Sequence, residues 1–185
     1  MKKDHVGLQR RPFLTPVWLS VIAAVAVLVL AVWLWGTVEA TMVIVIRHAE
    51  KELGSVTDPP LTRAGEARAE LLARMFGGLK SPGQVNAIYV TSALRNRLTA
   101  APLAARLGLT PSVVDKDPRN IARILLRDHP GGIILVVGHS DTVPKIVSAL
   151  SGNTQIPEMG HQEFDTMYIV TVPRIGHSTV LRLKY

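Results

Sequence analysis

The chain has 185 residues, 48% of them apolar, with no cysteine and a formal net charge of +7. This length suits one domain with an additional segment, and the absence of cysteine excludes a disulfide framework and a thiolate zinc site. Residues 41–185 carry a net charge of +5, from 17 Lys and Arg against 12 Asp and Glu. That balance suits an anionic substrate, but a solvated basic surface accounts for it equally well.

The first feature in chain order is an uncharged apolar segment, VWLSVIAAVAVLVLAVWLW, at residues 17–35. As a helix it would span roughly 28 Å, close to the ~30 Å hydrocarbon thickness of a bilayer. Tryptophans lie at both ends, as in the aromatic belts of membrane proteins. We therefore predict a transmembrane helix or signal-anchor at residues 17–36 that attaches the protein to a membrane.

Basic residues before this segment predict its orientation. The positive-inside rule keeps residues 1–16 in the cytoplasm and places the rest outside it, in the periplasm or the extracellular space. The alternative is a cleaved signal peptide, because VEA at residues 38–40 resembles a cleavage site and would release the domain after Ala40. The four basic residues are Lys2, Lys3, Arg10 and Arg11.

From residue 41 onward, apolar strands alternate with helical segments. This alternation predicts one domain at residues 41–185, a three-layer α/β/α fold with a mostly parallel central sheet. The last two strands are compatible with an antiparallel hairpin at one edge. The predicted strands are residues 42–46, 87–91, 111–114, 132–140, 166–172 and 178–185, and the predicted helices are residues 61–79, 95–107, 118–129 and 142–152.

Basic side chains follow three of the predicted strands. Arg47 and His48 end the first, Arg95 comes shortly after the second, and His139 ends the fourth. Ligands of open α/β sheets bind at the carboxyl ends of the strands, so we expect these four side chains to converge. A single histidine after a strand is more often a loop residue, and only the convergence indicates a site.

Two guanidinium groups and two imidazoles suit a phosphoryl group. Arginine pairs with phosphate oxygens in two places, and histidine can attack phosphorus and carry it covalently. A second histidine can donate to the oxygens on which charge develops. No metal-ligand spacing is visible, so neither a metal nor an organic cofactor is predicted.

Four segments in order resemble the histidine phosphatase superfamily, whose fold is phosphoglycerate mutase-like. VIRHAEK resembles the family motif Arg-His-Gly or its variant with Ala. DPPLTRAGEARA, VTSALRNRLTAAPLA and VVGHSDTVPKIV resemble the segments that follow the motif, hold the second arginine and hold the second histidine. The resemblance covers about residues 42–185. It implies that His48 is the nucleophile and that Arg47, Arg95 and His139 complete the phosphate pocket.

The proton donor for the leaving group has no clear counterpart. Many family members supply Glu or Asp from a loop, and no segment here matches that position. The candidates are Asp117, which we ranked first, Asp141 and Glu50. Small family members that include phosphohistidine phosphatases lack such an acid, because their leaving group needs little protonation.

These observations predict an extracytoplasmic phosphatase that hydrolyses a phosphate ester through a phosphohistidine intermediate. The alternatives are a phosphohistidine-specific phosphatase or a mutase of the same fold, and a catalytically silent, membrane-tethered binder of a phosphate ligand. The expected partner is a small phosphorylated substrate or a phosphoprotein, with no nucleic acid.

Overall fold

The computed structural model describes residues 17–36, 40–54, 57–79, 83–153 and 155–185, with side chains omitted at 34–36. A first helix, α1, is followed by a domain of six strands and four helices. The strands are β1 Thr41–Arg47, β2 Ala87–Thr91, β3 Ser112–Val114, β4 Ile133–Gly138, β5 Thr166–Val172 and β6 Thr179–Lys184. The helices are α1 Val17–Gly36, α2 Arg63–Phe76, α3 Leu94–Leu107, α4 Pro118–Asp128 and α5 Val143–Ser151.

The six strands form one mixed sheet in the order β3-β2-β4-β1-β5-β6. The strands β1 to β4 pair in parallel, but β5 runs antiparallel to both β1 and β6. The prediction of a mostly parallel sheet is therefore wrong. The prediction fails because β5 is covered on both faces, as a parallel strand would be. A continuous apolar run indicates this burial but does not encode the direction of the strand.

Alternate side chains of the strands supply two cores, one on each face of the sheet. Val43 and Val45 of β1 pack with residues of α4 and α5, whereas Ile44 and Ile46 pack with residues of α2 and α3. The period of two along each strand therefore builds a three-layer α/β/α domain, as predicted. Because both faces are covered, the open ends of β1 and β4 are where polar side chains can gather.

The start of helix α2 is fixed by a capping side chain and by a close backbone contact. The side chain of Thr62 accepts a hydrogen bond from the Gly65 backbone N–H at 3.1 Å and caps α2, as the sequence indicated. The start of α2 also lies against the segment that follows β1, since a Cβ added at Gly65 would meet the Glu50 carbonyl oxygen at 2.2 Å. Glycine at this position lets the helix approach that backbone.

Helix α1 lies in one compact unit, and the six strands with helices α2 to α5 lie in another. The side chains of residues 17–33 are exposed. In the described ranges, no helix combines the length and apolarity that crossing a membrane requires, so the predicted transmembrane helix is not confirmed. The segment predicted to lie in the cytoplasm, residues 1–16, and most of the VEA sequence lie outside the described residues.

Candidate active site

The ends of β1 and β4 bring the two predicted histidines together. These strands are parallel neighbours, with Arg47 opposite Gly138, and the His48 backbone N–H donates to the Gly138 carbonyl at 2.9 Å. The His48 and His139 rings follow this pairing, and their centroids lie 5.3 Å apart in an edge-on arrangement. Both residues are buried, with 3% and 8% of their surface exposed.

The His48 ring is held in one tautomer. Its Nδ1 lies 2.8 Å from the Ala49 carbonyl oxygen, which can only accept, so Nδ1 carries the proton. Ala49 is itself fixed, because its N–H donates to the Thr99 hydroxyl at 3.0 Å. Burial is the largest effect and lowers the pKa of His48 to about 4, against the Ala49 hydrogen bond, which raises it. The charges of Arg95 and Arg47 lower this pKa further by smaller amounts. At neutral pH, Nε2 therefore presents a free lone pair.

Backbone carbonyls hold Arg47. Its Nη1 donates to the carbonyls of Gly160, His161 and Glu163 at 2.9, 3.0 and 3.2 Å, and its guanidinium lies 4.1 Å from the centroid of the Phe164 ring. We call residues 160–164 the arginine loop. Because no carboxylate is hydrogen-bonded to this guanidinium among the described residues, its charge remains available for an anion.

Arg95 is held on its other side by a carboxylate. Its Nη1 lies 3.4 Å from Asp58 Oδ1, and the same carboxylate accepts from the Leu94 backbone N–H at 2.9 and 3.1 Å. Asp58 thus caps the first turn of α3 from a position 36 residues earlier in the chain. The Nη2 of Arg95 lies 3.3 Å from Nδ1 of His139, so the guanidinium also contacts the second histidine.

The far edge of the His139 ring faces two buried polar side chains. Its Nε2 lies 3.0 Å from the Thr91 hydroxyl and 3.2 Å from the Asn96 amide. Burial is the largest cause that lowers the pKa of His139 to about 4, followed by the charges of Arg95 and Lys116. The charge of Asp141 raises it in part.

The three predicted proton donors lie in different surroundings. Glu50 forms an ion pair with Arg68, at 2.6 Å between Oε1 and Nη2. Burial would raise the pKa of Glu50, but the hydrogen bonds and charge of Arg68 lower it overall. Asp117 caps α4 through the Arg119 N–H, at 3.1 Å, and lines a groove on α4 and α5 to which none of the four basic site residues contributes.

Asp141 is the candidate that the structure brings toward the site. It is exposed, it follows His139 by two residues, and its charge acts on that ring. It also lines a cavity of about 410 Å³ with Glu158 and with His161 of the arginine loop. This cavity therefore lies between elements that hold His139 and Arg47.

Several residues of this site were missed from the sequence. They are Thr91, Asn96, Thr99, Asp58 and Phe164, and each contacts one of the four predicted side chains or the backbone between them. For Asn96 a signal existed, because Asn96, Thr99, Ala100 and Leu103 have helical spacing and all are buried. A polar residue in such a stripe indicates a buried hydrogen-bonding role.

The arrangement can bind an anion and attack it. Two guanidinium groups supply positive charge, and the neutral imidazole of His48 has one nitrogen free. The α/β/α layers and this pocket at the ends of parallel strands place the domain among the α/β proteins whose ligand sites lie at that edge of the sheet.

Comparisons with known proteins show a partial match to one family model and a fold shared with solved structures. Residues 43–123 match the model of the histidine phosphatase superfamily (branch 1). The solved structures with a similar fold include the protein histidine phosphatase SixA complexed with tungstate, with a TM-score of 0.65 and 21% identity over 77% of this chain and 96% of that one. No curated protein sequence matches this chain significantly.

Two further structures have the same fold at lower identity. A candidate phosphohistidine phosphatase SixA from Agrobacterium tumefaciens has a TM-score of 0.59 and 16% identity, over 78% of this chain and 98% of that one. The mycobacterial glucosyl-3-phosphoglycerate phosphatase has a TM-score of 0.58 and 15% identity, over 71% and 90%. Residues 43–123 are therefore similar to the histidine phosphatase superfamily, and the domain shares its fold with these structures.

Proposed function

We propose that residues 41–185 form a phosphatase that hydrolyses a phosphate ester through a phosphohistidine intermediate on His48. Nε2 of His48 attacks phosphorus, the leaving group departs with its bonding electrons, and water then attacks the phosphohistidine to release phosphate and free imidazole. Arg47 and Arg95 bind the phosphoryl oxygens, and His139 donates to them as charge develops. None of these steps needs a metal.

The observation that carries this proposal is the state of the His48 ring. Its Nδ1–H is committed to the Ala49 carbonyl, and its pKa of about 4 keeps Nε2 unprotonated at neutral pH. A nucleophile must be both deprotonated and fixed in direction. A histidine that served only to bind phosphate would be more useful as a protonated donor.

The leaving group decides between two substrate classes. An alkoxide needs a proton, and Asp141 is the carboxylate whose charge acts on the His139 ring. We propose Asp141 as its donor when the substrate is an ester. Asp141 is exposed, and no hydrogen bond joins it to the described site residues, which favours as the second candidate a phosphohistidine side chain on a protein. The similar folds of the SixA structures also support that candidate.

The test is a trapping experiment on the full chain in mild detergent. Quenching in alkaline detergent during turnover of a labelled aryl phosphate should leave a phosphoryl adduct on the protein that is stable in base and lost in acid. His48→Asn should abolish adduct and turnover, while His177→Asn, at an exposed turn position, should change neither. If His48→Asn keeps activity within about tenfold of the parent, the nucleophile is elsewhere.

The same preparation separates the enzyme from a silent binder. A binder would take up inorganic phosphate with no turnover of an aryl phosphate or of a phosphohistidine peptide. Turnover of the peptide alone would assign the second substrate class. The Asp141→Asn variant should hydrolyse the ester more slowly and the phosphohistidine peptide at an unchanged rate, because only the ester requires a proton from the enzyme.

We also propose, from the sequence, that residues 17–36 attach the domain to a membrane and leave it outside the cytoplasm. The uncharged segment and the basic residues before it support this orientation. A reporter that fluoresces only in the cytoplasm, fused after Tyr185, should be dark. A bright reporter would overturn the proposed location, and recovery of the chain in the soluble fraction, beginning after Ala40, would indicate cleavage instead.

A further inference from the structure

The polar side chains behind His139 form a small enclosed network. Asn96 has no exposed surface, and Thr91 has 1%. The Asn96 Nδ2 lies 3.2 Å from His139 Nε2 and also contacts the Thr91 hydroxyl, while Asn96 Oδ1 has no hydrogen-bond partner among the described residues. A buried carbonyl oxygen without a partner is costly, so this carboxamide requires an explanation.

The protons of the network follow from Arg95. A guanidinium only donates, so its contact with His139 Nδ1 requires a lone pair on Nδ1 when no phosphate is bound. A neutral ring must then carry its proton on Nε2. That proton faces the Asn96 Nδ2, which is also a donor, and two donors in contact repel.

Rotation of the carboxamide by half a turn removes this conflict. The oxygen and nitrogen of an asparagine are assigned from the network around them, and Oδ1 in the position of Nδ2 accepts from both His139 Nε2–H and the Thr91 hydroxyl. The rotation leaves the two amide hydrogens without a described partner in place of the unpaired carbonyl oxygen, so it does not by itself satisfy the carboxamide. The repulsion between donors disappears, so this orientation is favoured.

We propose that Asn96 is a positioning residue that presents its oxygen to Nε2 of His139 and thereby reserves Nδ1 for the phosphoryl oxygens. This inference rests on the proposed function. When a phosphate dianion enters, it takes over the hydrogen bonds of Arg95, and His139 Nδ1 gains one proton from solvent and donates it to a phosphoryl oxygen. The resulting imidazolium keeps its other proton on Asn96 and Thr91.

Other charges around the His139 ring also affect how readily it takes up this proton. Cations disfavour the imidazolium in the empty site and help to keep the pKa of His139 at about 4, whereas one carboxylate favours it. The dianion reverses the balance because it lies directly against Nδ1. The groups that act on or face His139 are Arg47 at the end of β1, His48 after it, Arg95 on α3, Lys116 before α4, and Asp141 after β4.

Binding of inorganic phosphate, measured by calorimetry on the full chain between pH 5 and 9, tests the inference without relying on turnover. Affinity should fall at high pH as the bound His139 loses its proton. Asn96→Leu should move this fall to lower pH by about one unit, the effect of one lost hydrogen bond to a charged group. Asn96→Asp, which puts a carboxylate at the same place, should move it up by at least about one unit.

The same substitutions in a His139→Gln background provide the control. The ionisation of phosphate itself is common to all variants, so it cancels in the comparison. If Asn96 acts through His139, neither substitution should shift the pH dependence there. A shift that persists without His139, or an unchanged pH dependence accompanied only by a lower melting temperature, would overturn the inference.

This outcome is distinct from failure of the proposed function. If the parent protein binds no phosphate at any pH and turns over no phosphorylated substrate, the proposed function fails. If the parent protein binds phosphate and the Asn96 variants retain its pH dependence, the assignment of Asn96 alone fails. Asn96→Asp also guards against misfolding, because the carboxylate has nearly the same shape as the carboxamide.

Discussion

The stability of the domain should depend on two buried neutral histidines. In the folded protein, His48 and His139 each have a pKa of about 4, against 6.5 when exposed. The unfolded chain therefore binds more protons between these values, and unfolding becomes easier as the pH falls. Both groups are at least nine-tenths buried by surface, so solvent screening does not remove the effect.

The free energy of unfolding should fall between pH 7 and pH 5 by an amount that follows from these pKa values. At pH 5 an exposed histidine is nearly fully protonated, whereas one with a pKa of about 4 is largely neutral. Each histidine then costs about 2 kcal/mol of unfolding free energy over this interval, and the pair about 4 kcal/mol. The interval lies above the ordinary pKa values of Asp and Glu, so the carboxylates contribute little to it.

The assay is urea unfolding of the full chain at pH 7, 6 and 5, in buffers without phosphate. It must follow far-ultraviolet circular dichroism, because all three tryptophans lie within residues 17–36 and report on that segment alone. His48→Gln and His139→Gln should each reduce the pH dependence by about half. If the loss between pH 7 and 5 is the same in the parent and both variants, these rings are not buried in neutral form and the argument for a free Nε2 fails.

Three other substitutions test individual contacts. Arg95→Lys keeps the charge but loses the planar two-pronged geometry, so kcat on an aryl phosphate should fall by on the order of 10²-fold. A raised KM with an unchanged kcat would contradict a role of Arg95 in the transition state. Glu50→Gln weakens the ion pair with Arg68 and should lower the free energy of unfolding in urea by roughly 1 kcal/mol. The leaving-group dependence of turnover should stay unchanged, because the hydrogen bonds with Arg68 outweigh burial and lower the pKa of Glu50, which makes it a poor proton donor. Asp58→Ala removes the cap on the Leu94 N–H and a contact to Arg95, so it should cost about 1 kcal/mol in the same assay and weaken phosphate binding; normal affinity would show that Arg95 needs no such support.

The strand-end residues were predictable because two rules act together. A buried strand is recognisable from its apolar run, and parallel strands place their carboxyl ends at one edge. Arg47, His48 and His139 therefore had to meet, and the contact between His48 and Gly138 confirms this expectation. Their catalytic roles remain a prediction.

Strand direction and long-range support were not predictable in the same way. The apolar run of β5 indicates burial, and burial is the same for a parallel and an antiparallel strand, so its antiparallel pairing with β1 was missed. The contact between Asp58 and the first turn of α3 joins residues 36 positions apart, and no local pattern marks it. The arginine loop acts through carbonyl oxygens, which every residue type possesses.

The use of main-chain oxygens to hold Arg47 affects how this pocket can change during evolution. Because three main-chain oxygens hold Arg47, replacement of the side chains at 160, 161 and 163 leaves the oxygens that bind it in the chain, and even proline would supply one. The side chain of His161 borders the cavity beside His139 without being needed for the guanidinium. Natural variation in these residues can therefore reshape the approach to the pocket while the oxygens that hold its cation are retained, which gives mutation and selection room to alter substrate preference.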